Sequence, residues 1–393
     1  MHNLVESLKK TLTTSINNID REIKKRSRKI SFKDVIYYSS LMIGNNQSYE
    51  NVNVSLKIHK IINVTSVSLI KYKNKIDCSY FNNINDILLD HVYGNYNDKR
   101  LIAVDGTHIA LNKTLHEYNY KLSRNSHYFS VLISTLFDVI LEMPINYYLS
   151  KTHCERSALR EQFRYLNKTD ILIMDKGYYS TEILFELYNL GIDVIFRLRY
   201  NLIILKKLNK VNDTTIIRKY NNQCIKFRIL RYTINKKDYY IGTTIYDENI
   251  EYFKETYWKR WKIEVNFKYS KYNLSMNNIK SKSENNVIQD IYIHNFIFII
   301  SAYIKYNLEI EIKESYSINV TSLLNMIIND LLYLILYKNN TINNTNEIIR
   351  IFNIMKESLV YVRPNRHYKR IRYKPSTKWN IHGNRYAGDA NYN

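Results

Sequence analysis

Residues 257–283 read YWKRWKIEVNFKYSKYNLSMNNIKSKS, and the rest of the chain is interpreted outward from them. The stretch contains neither proline nor glycine, and its apolar and polar residues recur at helical spacing, which predicts a helix. On a helix that turns about 100° per residue, Tyr257, Arg260, Glu264 and Lys271 fall within an arc of about 60°. One face of this helix therefore carries a carboxylate among two cations and a phenol.

The remaining faces of the predicted helix differ in polarity. An apolar stripe, which we expect to be buried, consists of Trp258, Trp261, Val265, Tyr269 and Tyr272. The side chains expected to face water are those of Lys259, Lys262, Asn266 and Ser270. The ordinary interpretation of Arg260 and Glu264 is a solvated i,i+4 ion pair. A functional interpretation depends on what the rest of the chain supplies.

From Arg100 onward the sequence pattern changes from helical to strand-like. Apolar runs predict strands within 101–112, 127–149, 171–174 and 193–199. Helices are predicted at 155–167 and 181–190. Three strands, a helix, a strand, a helix and a strand, in that order, resemble the ribonuclease-H-like fold. That fold is an α/β architecture, whose sheet mixes parallel and antiparallel strands between flanking helices.

Two aspartates occur at apolar strands of this predicted sheet. Asp105 lies within the first strand, and Asp175 follows directly after the strand at 171–174. A buried charged side chain is costly unless it is paired or binds a metal ion. Each aspartate alone is consistent with a strand-end cap or a salt-bridge partner. With Glu264 on the helix expected to face the sheet, they become three candidate ligands for a hard cation such as Mg²⁺.

The spacing Tyr257-x2-Arg260-x3-Glu264-x6-Lys271, together with Asp105 and Asp175, resembles the DDE transposases of bacterial insertion sequences. The resemblance is to the subgroup with a Tyr-Arg-Glu-Lys signature. It implies a DNA transposase that cleaves transposon ends and transfers the strands into target DNA. By this resemblance, Asp105, Asp175 and Glu264 are the catalytic residues and the ligands of two Mg²⁺ (or Mn²⁺) ions, which assist in-line displacement at phosphorus.

The resemblance also implies how the enzyme holds DNA. Tyr257, Arg260 and Lys271 are expected to contact phosphates at the transposon end, and arginine, lysine and tyrosine are suitable donors for phosphate. The segment Ser281-Lys282-Ser283 continues the pattern and is expected to meet the DNA backbone, so Lys282 is a further candidate. The implied partner is double-stranded DNA, both transposon ends and target, bound by a homodimer.

The composition agrees with a nucleic-acid partner. Among 393 residues, 58 are Lys or Arg and 36 are Asp or Glu, giving a net charge of +22. Such an excess favours a polyanion, either nucleic acid or an anionic membrane surface. We expect no membrane-spanning segment, because the most apolar stretches, 291–304 and 323–337, are short and interrupted by polar residues. Three scattered cysteines indicate neither a disulfide framework nor a zinc site.

Three regions are predicted along the chain. Residues 1–98 form a helical DNA-binding domain, 99–312 the catalytic domain with a β-rich insertion at about 200–246, and 313–393 a helical segment with a basic tail. In the first region, Ser31 to Asp34 predict a capping box. Helices at 51–62 and 65–76 suggest either a helix-turn-helix or a small bundle with a basic surface. In the second of these helices, Lys71 and Lys73 are expected outward and Val67 inward.

The strands of the insertion are expected to leave the main sheet. The basic run at 24–29 and the basic tail beyond Arg363 are either DNA-contacting segments or solvated charge blocks. The alternatives to a transposase are a catalytically silent DNA-binding protein derived from one and a metal-dependent nuclease of the same fold. The three intact carboxylates argue against the silent form.

Overall fold

The computed structural model describes residues 2–23, 29–94, 96, 98–120, 130–200, 202, 205, 212–234, 236–338 and 342–363. Three predicted segments lie largely or wholly outside these residues. They are the basic run at 24–29, the first part of the insertion at 201–211, and the basic tail beyond Arg363.

Five helices precede the sheet: α1 (His2–Ile23), α2 (Phe32–Asn45), α3 (Tyr49–Ile58), α4 (Ser66–Lys73) and α5 (Ser79–Tyr93). The capping box at the start of α2 is confirmed, since the backbone N–H of Ser31 donates to Asp34 Oδ2 at 2.7 Å. Asn46 ends α2 with a left-handed backbone, φ 50°. Asparagine tolerates this conformation better than most residues.

The orientation predicted for α4 is wrong at two positions. Val67 is 56% exposed, whereas Lys73 is buried and forms a salt bridge with Asp290. Lys71 faces solvent as expected. The helix is too short for its spacing to define a buried side, and the buried carboxylate of Asp290 draws Lys73 inward, because an unpaired charge there would be costly.

The sheet begins with the five strands expected for a ribonuclease-H-like domain: β1 (Leu101–Ala110), β2 (Ser130–Asp138), β3 (Met143–Ser150), β4 (Ile171–Met174) and β5 (Asp193–Leu198). Their order across the sheet is β3-β2-β1-β4-β5. The first three are antiparallel neighbours, and β4 lies parallel to both β1 and β5. Helices α6 (Glu155–Arg160) and α7 (Thr181–Asn189) lie in the connections. The predicted mixed α/β fold is confirmed.

The insertion is β-rich, with strands β6 (Asp213–Tyr220), β7 (Gln223–Ile234) and β8 (Lys237–Thr243). The prediction that these strands leave the main sheet is wrong. β8 pairs antiparallel with β5, so that β8, β7 and β6 extend the catalytic sheet to eight strands. The physical reason is that β5 would otherwise present an edge of unpaired N–H and C=O groups.

The Tyr257–Ser283 stretch contributes the end of α8 (Ile250–Lys259), all of α9 (Trp261–Lys268) and one π-helical turn at Tyr269–Asn273. The helix does not continue to residue 283 as predicted. The chain turns at Ser275, where φ is 54°, and Ser283 caps the next helix by accepting from the backbone N–H of Asn286.

The polarity predicted for the faces of α8, α9 and the π-helical turn is also wrong at several positions. Trp258 and Tyr272 are 59% and 62% exposed, and Val265 is exposed too. In contrast, Asn266 and Ser270 are buried, where both make hydrogen bonds with the hydroxyl of Tyr147 on β3. These polar side chains can be buried because the tyrosine hydroxyl provides them with hydrogen-bond partners.

The remaining elements are α10 (Glu284–Glu309), β9 (Tyr316–Ile318), α11 (Val320–Met326), α12 (Leu332–Tyr337), α13 (Ile342–Glu357) and β10 (Leu359–Tyr361). The central helix α10 packs against β3, α2 and α5, and α1 packs against α12 and α13. The N-terminal and C-terminal helices therefore share one body of packing with the sheet. The boundaries at 98 and 312 stay a prediction.

Two helical segments of the described chain, 284–309 and 320–337, are long and apolar enough by composition to cross a membrane. In the first, 83% of the most apolar window is buried inside the protein, as in the core helix of a globular fold. In the second, half of the window is buried.

Candidate active site

The register of the parallel strands brings Asp105 and Asp175 together. Val104 of β1 lies opposite Met174 of β4, and the next residue of each chain segment is an aspartate. Paired residues of neighbouring strands point to the same face of a sheet. The two carboxylates therefore meet where β4 ends.

Helices α8 and α9 bring the third carboxylate to the same place. Arg260, between the two helices, donates from one terminal nitrogen to Asp105 Oδ2 at 2.9 Å and from the other to Glu264 Oε1 at 3.1 Å. The hydroxyl of Tyr257 donates to Asp175 Oδ1 at 3.2 Å. Asp105, Asp175 and Glu264 are thus gathered around one guanidinium and one phenol, and the predicted Arg260–Glu264 ion pair exists.

The electrostatics of this cluster follow from burial and close approach of opposite charges. Burial raises the pKa of Asp105, although Arg260 acts in the opposite direction. Burial also raises the pKa of Tyr257, so its hydroxyl stays protonated and can donate to Asp175. For Arg260, burial is outweighed by Tyr257 and the carboxylates, which raise its pKa and keep the guanidinium charged.

Tyr257 and Arg260, both predicted to contact DNA, have little exposed surface in this structure. Arg260 is 5% exposed, and the guanidinium lies over the ring of Trp261 at 5.3 Å. Its Nε atom has no hydrogen-bond partner among the described residues. A buried donor without a partner is costly, so this nitrogen offers a hydrogen bond to any acceptor that enters the site.

Of the two lysines predicted to contact DNA, Lys271 contacts the strand that carries Asp105. Lys271, in the π-helical turn, donates from Nζ to the carbonyl oxygen of His108 at 3.0 Å, three residues after Asp105 on β1. Lys282 is exposed. Ser281 is buried and donates to Asp290 at 2.6 Å, so the expectation that it meets the DNA backbone is not met in this structure.

A fourth carboxylate lies beside the cluster and was missed from the sequence. Glu155 is the first residue of α6, half-buried, and near both Asp105 and Asp175. Its signal in the sequence was weak, because a glutamate in the first turn of a helix is ordinary. Only the packing of α6 on β1 and β2 brings it to the site.

The donor chemistry of the cluster suits a divalent metal ion. Carboxylate oxygens are hard ligands of the kind that Mg²⁺ and Mn²⁺ take. Within the part of the chain that the structure describes, no three acidic, histidine or cysteine side chains already form a metal-binding group. Instead, Arg260 contacts two of the carboxylates and supplies the positive charge that a metal ion would supply.

Comparison with known proteins identifies a family for this chain. The sequence model of the family described as the transposase DDE domain matches residues 96–300, from the start of the sheet into α10. Among solved structures, the chain is similar to a piggyBac transposase synaptic complex with hairpin DNA, with 11% identity, a TM-score of 0.45, and coverage of 86% of this chain and 81% of that chain. No curated protein sequence matches the chain.

Proposed function

Because the chain belongs to the transposase DDE domain family and is therefore a DNA transposase, we propose that Asp105, Asp175 and Glu264 are its catalytic carboxylates. Enzymes of this family use divalent metal ions. The observation that carries the proposal is the convergence of these residues, from β1, the end of β4 and α9, around Arg260 and Tyr257.

The proposed metal ligands are the same three carboxylates, holding two Mg²⁺ (or Mn²⁺) ions. When bound, such ions activate the attacking oxygen and stabilise the leaving oxygen of an in-line displacement at phosphorus. Tyr257 orients Asp175 through its hydrogen bond, and Arg260 balances the charge of Asp105 and Glu264. Burial of these groups strengthens each of these interactions relative to water.

DNA binding is proposed for the residues around the cluster. We propose that Lys271, which contacts the strand carrying Asp105, and the exposed Lys282 bind the DNA backbone, and the net charge of +22 favours a polyanion. Arg260 can donate its Nε, unpartnered among the described residues, to a phosphate, whereas the hydroxyl of Tyr257 is engaged by Asp175 and must exchange that contact to meet one. We further propose that the protein binds double-stranded transposon ends and target DNA as a homodimer. We also propose that it belongs to the bacterial subgroup with the Tyr-Arg-Glu-Lys signature.

The test separates DNA cleavage from DNA binding. Glu264→Gln keeps the shape of the side chain but removes its charge, so it should abolish Mg²⁺-dependent cleavage of DNA carrying the element's ends while DNA affinity stays the same. Lys271→Ala should instead weaken binding and lower the slope of log affinity against log salt by about one unit, as expected for one lost phosphate contact.

The two measurements are a cleavage assay and gel-shift titrations at several salt concentrations. Cleavage by Glu264→Gln at the wild-type rate would contradict the assignment of the site. Wild-type protein that binds the ends but never cuts them, with either Mg²⁺ or Mn²⁺, would instead indicate a silent DNA-binding protein.

A further inference from the structure

We propose that Glu155 is a fourth carboxylate of the active site and binds divalent metal together with Asp105 and Asp175. This inference rests on the proposed function of those two residues. It assigns a role in metal binding to a side chain on α6, an element that carries none of the three carboxylates already described.

The first support is the position of the Glu155 carboxyl group between two glycines. A Cβ atom on Gly106 would lie 3.1 Å from Oε1 of Glu155, and a Cβ atom on Gly177 would lie 3.3 Å from Oε2. Gly106 directly follows Asp105, and Gly177 comes two residues after Asp175. The carboxyl group thus bridges the two segments that carry the aspartates, and glycine at both places makes this close approach possible.

The second support is the charge balance around Glu155. The described residues provide no salt bridge to it, and the nearby Arg156 donates from Nε to the carbonyl oxygen of Gly177 at 3.0 Å. Burial raises the pKa of Glu155, and the charges of Asp105 and Asp175 raise it further. A half-buried carboxylate placed beside two others is unfavourable unless a cation joins them. Arg156 acts in the opposite direction and lowers the pKa of Glu155, but its Nε is engaged by the carbonyl oxygen of Gly177. Arg260 pairs with Asp105 and Glu264, so a bound ion would balance the negative charge that remains at Glu155.

The experiment compares Mn²⁺ binding by full-length proteins without DNA, using titration calorimetry. Glu155→Gln should weaken Mn²⁺ binding at least about tenfold, the size typical of losing a group that supports a metal site. Without metal, the same variant should unfold at a higher temperature than wild type, because repulsion from Asp105 and Asp175 is relieved. If Glu155 only stabilised the fold, Glu155→Gln would instead lower the unfolding temperature.

Two further variants act as controls. Glu161→Gln makes the same chemical change at an exposed position just after α6 and should leave Mn²⁺ affinity unchanged. Glu155→Asp keeps the charge on a shorter side chain and should recover part of the lost affinity, which a misfolded protein would not do.

The outcomes distinguish this inference from the proposed function. If Asp105→Asn and Glu264→Gln weaken Mn²⁺ binding but Glu155→Gln does not, the role of Glu155 is overturned and the proposed site stands. If none of the three variants changes Mn²⁺ binding, both are overturned. A loss in Glu155→Gln that matches the loss in Asp105→Asn supports both.

Discussion

At the scale of single residues, Arg260 connects the parts of the site. One guanidinium contacts a carboxylate from β1 and another from α9, and it is almost fully buried. A buried ion pair adds little net stability by itself, but removing one partner leaves an uncompensated charge. Arg260 therefore stabilises the cluster mainly by preventing repulsion among carboxylates that metal binding requires to be close.

The variant Arg260→Gln tests whether Arg260 prevents repulsion between Asp105 and Glu264. We expect the free energy of unfolding to fall by about 3 kcal/mol without metal, because Asp105 and Glu264 lose their shared cation. Saturating Mn²⁺ should restore more stability to the variant than it adds to wild type. Thermal and chemical unfolding with and without Mn²⁺ measure both effects.

The control for this prediction is Arg160→Gln. Arg160 pairs with Glu182 and Glu186 at the surface, and its loss should cost less than about 1 kcal/mol and be insensitive to Mn²⁺. An equal response of the two variants to Mn²⁺ would show that Arg260 has no special relation to a metal site.

At the scale of elements, α4 is held to α10 by a buried charge pair. Lys73 contacts Asp290, and Asp290 also accepts from Ser281, in the segment that joins the catalytic helix to α10. Tyr49, at the start of α3, lies within 3.1 Å of the same serine hydroxyl. Helices α3 and α4 are thus linked through one polar cluster to the end of the Tyr257–Ser283 stretch.

Lys73→Met should destabilise the protein by about 3 kcal/mol, because Asp290 is left without its cation in a buried site. Lys71→Met, two residues away on the exposed side of α4, should change stability by less than about 0.5 kcal/mol. If α4 lies on DNA, Lys71→Met should nevertheless weaken DNA binding. Denaturant unfolding and gel shifts on the same two variants check these expectations, and equal stability of both would contradict the burial of Lys73.

At the scale of the whole molecule, the insertion and the catalytic sheet form one structure. Phe196 of β5 pairs with Gly242 of β8, and a Cβ atom on Gly242 would lie 2.3 Å from the ring of Phe227 on β7. The ring is fully buried. The joint between the two parts of the sheet therefore depends on a close approach that only glycine permits.

Gly242→Ala should destabilise the protein by about 1 to 3 kcal/mol through overpacking against Phe227. The insertion and catalytic sheet should still unfold in one transition, because they share a continuous sheet. Combining Gly242→Ala with Phe227→Leu should cost less than the sum of the two single changes, since the smaller side chain frees space. Unfolding followed by two spectroscopic probes tests the prediction, and separate transitions would show that the insertion is an independent unit.

The sequence by itself determined the order of strands and helices, the positions of Asp105 and Asp175 at apolar strands, and the Tyr257 to Lys271 spacing. These features are local, because strand and helix periodicity depend on near neighbours along the chain. The convergence of Glu264 with the aspartates was expected from the resemblance to DDE transposases, because Asp105 lies within β1 and no local pattern shows which helix packs beside it.

Four features depend on tertiary packing and could not be read from local patterns. They are the buried side of the Tyr257 helix, the burial of Lys73, the pairing of β8 with β5, and the position of Glu155 beside the site. A helical wheel gives angles between residues but not the direction of the core, and Asn266 and Ser270 are buried because Tyr147, far away in sequence, satisfies them. The carboxyl group of Glu155 lies close to Gly106 on β1 and to Gly177 in the turn after β4, next to the segments that carry Asp105 and Asp175. Such contacts join residues distant along the chain, and no local pattern carries them.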